Sequence, residues 1–114
     1  MTSTGITASI TPISATSKIL VLCSTSFATS AANVQGVITV YRGATNLMTE
    51  GQGMVYSSGG ASLCAGSLSY LDSPATTSAL TYKTQFHRTA GASSVSVQQN
   101  AGDTSTIVLM EIAG

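Results

Sequence analysis

The last strand-like segment of the chain is apolar on both of its faces. In Ile107-Val108-Leu109-Met110-Glu111-Ile112, strand alternation sets Ile107, Leu109 and Glu111 on one side and Val108, Met110 and Ile112 on the other. Lys18 to Ser26 repeats the pattern, with Ile19, Val21 and Cys23 opposite Leu20 and Leu22. Strands buried on both faces normally belong to parallel sheets covered by helices. No stretch of this sequence has helical periodicity, so another cover is needed, and a second copy of the chain is the simplest.

The remaining segments also alternate with a period of two. Ile6 to Ile10 runs into the breaker Pro12, and Gly36 to Arg42 is followed by the turn-prone Gly43-Ala44-Thr45-Asn46. Met54-Val55-Tyr56 precedes Ser57-Ser58-Gly59-Gly60, and Ala61 to Leu71 ends at Asp72-Ser73-Pro74. Ala79 to His87 is the cleanest amphipathic segment, with Leu80, Tyr82, Thr84 and Phe86 opposite Thr81, Lys83, Gln85 and His87. Ser93 to Gln99 and the final segment complete the set. About eight short strands at sandwich-like spacing predict an all-β protein, an antiparallel β-sandwich of jelly-roll type. Residues 1–114 form a single domain, since 114 residues suffice for one core and not for two.

Composition sharpens this picture. Only 7% of residues are charged while 43% are hydrophobic, against roughly 25% charged in an ordinary soluble domain. Nearly a third are Ser or Thr. The chain therefore folds rather than staying disordered, and its surface has few charges to keep copies apart. Net charge is zero, and Lys18, Arg42, Lys83 and Arg88 are scattered, which argues against nucleic acid as a partner. No apolar run approaches a membrane span or a signal peptide, so no membrane insertion is expected and assembly is expected in the cytoplasm. In a reducing cytosol Cys23 and Cys64 default to two buried free thiols, a disulfide being the alternative.

Candidate chemistry is sparse. Glu111, a carboxylate within an apolar strand, is expected to pair with Lys83 or Arg42, and we expect a Glu111–Lys83 ion pair that sets strand or subunit register. His87 has no neighbouring ligands for a metal and is expected to face solvent beside Arg88. There is no Gly-x-Ser-x-Gly elbow and no dinucleotide fingerprint. Glu50, Asp72, Asp103 and Glu111 are dispersed, so the sequence places no two of them as a glycosidase pair and a depolymerase ranks last among the readings, and Asp72 and Asp103 are most simply turn residues. No catalytic residue, metal site or cofactor is expected. Recognition is expected on loops. Tyr56 beside a Gly/Ser tip, with His87 and Arg88, is the candidate contact for a host-surface glycan or protein.

An ordered set of motifs bears on identity. Ile10-Thr11-Pro12 with Ser14 to Leu22, Tyr41-Arg42-Gly43, Tyr70 to Pro74, Ser78 to Gln85 and Ser105 to Ala113 follow one another along nearly the whole chain from Ile6. In this order they resemble the C-terminal knob domains of tail fibres and other virion structural proteins of bacteriophages of marine bacteria. The resemblance implies a compact β-domain at the exposed end of a fibre, commonly trimeric, that meets the host surface. Met1 falls just upstream of the matched region, so either a fragment or a free-standing virion protein is expected. The resulting expectation is a homotrimer that buries Leu20, Leu22, Ile107 and Leu109 around its axis. It would contact other virion proteins and act as a knob for host adhesion. The alternative is a capsid decoration or cement protein that clamps coat subunits, followed by a monomeric carbohydrate-binding module.

Overall fold

The alternation that makes Lys18–Thr29 apolar on both sides also makes it the centre of a sheet. In the computed structural model, which describes residues 2–48, 55–90, 95–97 and 102–114, every element is a strand or a connection between strands. In chain order the strands are β1 (Thr2–Ile10), β2 (Lys18–Thr29), β3 (Val34–Arg42), β4 (Thr45–Asn46), β5 (Val55–Ser57), β6 (Ser62–Asp72), β7 (Leu80–Ala90), β8 (Val95–Val97) and β9 (Thr106–Ile112). All pairings are antiparallel. Sheet A runs β1-β7-β3, with β4 and β5 both paired to β3; sheet B has β2 between β6 on one side and β8 and β9 on the other. Together they form an antiparallel β-sandwich, as the periodicity predicts.

The core lies between the sheets. Ile19 and Val21 from β2 meet Val40 from β3 and Tyr82 from β7, all fully buried, and Ile107 and Leu109 from β9 pack against them. A second cluster holds Phe27 and Ile38, with Phe86, Val95 and Val97 around it. The Phe27 and Phe86 rings meet edge to face, with centroids 6.3 Å apart at 87°, the arrangement that aromatic quadrupoles favour. Fully burying each large apolar side chain contributes about 1.5–3 kcal/mol, so the two clusters account for much of the fold's driving force.

Sequence patterning and structure diverge where segments are short or local geometry intervenes. β1 begins at Thr2, upstream of the alternation that starts at Ile6. Its pairing with β7 shifts register between Ser3 and Thr7, where Gly5 has φ of 81°, and the resulting bulge hides the period. β4 lies in the turn-prone stretch, because Tyr41↔Asn46 and Arg42↔Thr45 pair across Gly43-Ala44. Both thiols are free, but only Cys23 is buried; Cys64 is exposed. That corrects the expectation of two buried cysteines. Cys64 stands on β6, an outer strand of sheet B, and its thiol donates to the Phe27 carbonyl at 3.5 Å. Burial pushes the Cys23 thiol pKa up.

Candidate functional site: the outer face of sheet B

The two sheets turn very different surfaces outward. Cross-strand partners share a face, so the pairings fix which side chains look out. In sheet A the outward positions include Thr7, Ser9, Tyr41, Thr81, Lys83 and Gln85, and the Ser9 and Thr81 hydroxyls hydrogen-bond at 3.0 Å. Val37 and Thr39 share that register but are buried. The exposed side chains of this face, Thr7, Ser9 and Thr81, are polar, whereas its centre at Val37 and Thr39 is covered.

Sheet B is the reverse. Leu20 pairs with Leu71 on one side and Met110 on the other. Leu22 pairs with Ser69 and Val108, and Lys18 with Ile112. These residues alternate with the inward Ile19, Val21, Ile107 and Leu109, so they look outward together. Leu22, Leu71, Val108, Met110 and Ile112 are each 38–48% exposed, and Leu20 is half-buried. Six large apolar side chains thus form one patch across three strands, with Lys18 at its end. Toward the far end of β2 the face turns to hydroxyls, and Ser24, Ser67, Ser69 and Thr106 help line a shallow cleft of about 420 Å³. Contiguous apolar patches beyond a few hundred Å² on a folded domain mark contact surfaces.

Part of the expected interface stands on this face and part does not. Leu20 and Leu22 look outward. Ile107 and Leu109 are corrected: they pack inward on the Ile19, Val21, Val40 and Tyr82 cluster. Alternation defines two faces of a strand but not which is inside, and in β9 the outward apolar residues are Val108, Met110 and Ile112.

The Glu111–Lys83 pair within the chain is also corrected. Both Glu111 carboxylate oxygens accept from the Ile13 backbone N–H, at 3.0 and 2.9 Å. Lys83 lies on the opposite, outer face of sheet A, between Thr7 and Tyr41. The Ser17 hydroxyl and the Ile13 amide hold the Glu111 carboxyl below its ordinary range. Glu111 therefore ties the last strand to the β1–β2 connection at Ile13, whose side chain is 90% exposed.

Asp72 is not a turn residue. It is buried, accepts both 2.8 and 2.6 Å hydrogen bonds from Arg42 Nη1, and accepts the Tyr82 hydroxyl at 2.6 Å. Arg42 comes from β3, Tyr82 from β7 and Asp72 from the end of β6, so the cluster bridges the two sheets. The contact with Asp72 raises the Arg42 pKa further, and burial raises that of Tyr82. The sequence holds a signal for it, since Leu68, Tyr70 and Asp72 share the inward register of one strand. Asp103 accepts from the Ser26 hydroxyl at 2.7 Å.

Of the expected receptor contacts, Arg88 is exposed near the end of β7. Tyr56 and His87 have their backbones in β5 and β7, and their side chains lie outside the described residues. The structure pairs Gln35 with Tyr56, Gly36 with Arg88 and Val37 with His87, so successive β3 residues bring the three positions to one end of sheet A. Between β1 and β9 a cleft of about 540 Å³ is lined by Thr4, Thr7, Ser105, Ile6 and Ile107 among others. Its described lining is hydroxyl and aliphatic, without a charged group to anchor an ionic ligand. Among the described residues no three His, Cys, Asp or Glu side chains gather as a metal site, and no helix is long and apolar enough to cross a membrane. Comparison of this chain with known protein families, curated proteins and solved structures finds no match to any of them.

Proposed function

We propose that this chain is a bacteriophage virion structural protein. It is a non-catalytic β-sandwich of jelly-roll type that assembles as a homotrimer and serves as a fibre-knob-like module for adhesion to a host-surface receptor or glycan. The observation that carries the proposal is the contrast between what the two outer faces expose: on sheet A the hydroxyls of Thr7, Ser9 and Thr81, on sheet B the apolar Leu20, Leu22, Leu71, Val108, Met110 and Ile112. Covering that patch with other copies removes it from water, at about 25 cal/mol for each Å² of apolar surface buried. With 7% charged residues, little electrostatic repulsion opposes close approach. The ordered motifs from Ile10 to Ala113 support the virion setting, and the end of sheet A bearing Tyr56, His87 and Arg88 is the proposed receptor-facing region.

A second reading, a capsid decoration or cement protein, is favoured by Ile13. An apolar side chain held out by a pinned backbone suits insertion into a neighbouring coat subunit. Immunogold labelling of virions with antibody against this chain separates the two, the tail being marked in the first case and the head in the second. Purified protein on a glycan array and on host cells tests adhesion directly. Tail labelling with saturable cell binding is the expected result; head labelling without cell binding overturns the adhesion proposal in favour of decoration.

A further inference from the structure

The edges of the two sheets are protected unequally. In sheet A, β1 carries the register shift at Ser3/Thr7, and the far side of β3 is occupied by β4 and β5. In sheet B, one side of β2 is divided between β8 and β9. The other side is β6, which pairs with β2 along all of Ser62–Asp72 without a register shift. Among the described residues β6 has β2 as its sole strand partner. From Ser62 to Leu71 it contains no charge and no proline. Natural sheet edges are usually blunted by lysines, prolines, bulges or short length. β6 has none of these.

The strand also reads nearly alike in both directions. Its outward residues are Leu63, Ala65, Ser67, Ser69 and Leu71. Turned end for end about Ser67, Leu63 falls opposite Leu71, Ala65 opposite Ser69, and Ser67 opposite itself. The two leucines are the large exposed residues of this strand, at 53% and 48%. At the ends Ser62 falls opposite Asp72, whose carboxylate is already engaged by Arg42 and Tyr82.

We propose that β6 pairs antiparallel with β6 of a second copy about a twofold axis at Ser67, joining two copies of sheet B into one continuous sheet. Such a contact is isologous, so each copy offers the same surface. It pairs the edge backbone groups that have no strand partner among the described residues and sets each Leu63 beside Leu71 of the second copy, with Cβ atoms about 4.5–5.5 Å apart. No like charges oppose one another across it. The edge points along the plane of sheet B, at right angles to the direction in which its outer face looks. One chain can therefore use both contacts, and this one does not rest on the function proposed above.

Cysteine cross-linking tests the register. In a Cys64→Ser background, with Cys23 buried, Ser67→Cys places two thiols opposite each other at the axis, whereas Ser69→Cys separates them by four residues, roughly 14 Å along the strands. Mild oxidation of the native protein is expected to link Ser67→Cys into a covalent dimer and to leave Ser69→Cys unlinked. A Ser67→Lys variant, checked for unchanged circular dichroism, is expected to halve the native mass. Absence of the Ser67→Cys dimer, equal linking of both cysteine variants, or an unchanged mass for Ser67→Lys overturns the proposal.

Discussion

Tyr82 donates its hydroxyl to Asp72 Oδ2 at 2.6 Å, and through Asp72 it is linked to Arg42. Three polar groups from three strands thereby satisfy one another at the edge of the core. Asp72 is buried but the Arg42 side chain is 28% exposed, so removing the carboxylate leaves a partly solvated guanidinium and costs less than breaking a fully buried pair, about 1–3 kcal/mol. Asp72→Ala is expected to destabilise the fold by about that much in urea unfolding. Tyr82→Phe leaves the ion pair intact and removes one hydrogen bond to a charged acceptor, a loss of about 1.5–3 kcal/mol. The double variant should lose less than the sum of the two, since both act on one network.

Gly36 faces the core at the second apolar cluster. A Cβ there would stand 2.6 Å from Phe27 Cζ and 3.0 Å from Val95 Cγ1. Phe27 is fully buried and meets Phe86 edge to face, so it has little room to yield. Overpacking of this kind typically costs about 1–3 kcal/mol. Gly36→Ala is expected to lower the urea midpoint by a corresponding amount at unchanged slope, and an unaltered midpoint would show that Phe27 relaxes freely.

Much of this was legible in the chain, and the misses have physical causes. Period-two alternation gave β2, β3, β6, β7 and β9 nearly to their ends, with the correct division of β7 into Tyr82, Thr84 and Phe86 inside and Lys83 and Gln85 outside. Alternation is silent about which face of a two-sided strand turns inward, and so Ile107 and Leu109 were expected where Val108, Met110 and Ile112 stand. It is equally silent about pairings over long separations. Glu111 finds the Ile13 amide 98 residues away, and a backbone donor leaves no mark in composition. Asp72 was hidden by the turn residues that follow it, Ser73 and Pro74, although its register with Leu68 and Tyr70 points inward.

Glu111 is expected to make the fold sensitive to acid. The Ser17 hydroxyl and the Ile13 N–H hold its folded pKa below the ordinary value of 4.5. A depressed carboxyl contributes stability above its unfolded pKa and loses it as pH falls through the lower folded value. The melting temperature of the protein should therefore fall more steeply below pH 4.5 than that of Glu111→Gln, which has no carboxyl to protonate. Amide hydrogen exchange at Ile13 should quicken in Glu111→Ala at neutral pH. Parallel melting curves for protein and Glu111→Gln across pH 3–6 would remove Glu111 from the acid response.

The outer face of sheet B is the surface on which the proposed function turns, and native mass by size exclusion with light scattering tests it most directly. The protein should elute as a monodisperse oligomer, a multiple of the 11.5 kDa chain. A double variant, Leu22→Glu with Val108→Lys, should shift it toward lower mass with its β-sheet circular dichroism retained. A monodisperse monomer of 11.5 kDa, or an oligomer indifferent to both substitutions, would contradict burial of this face by other copies.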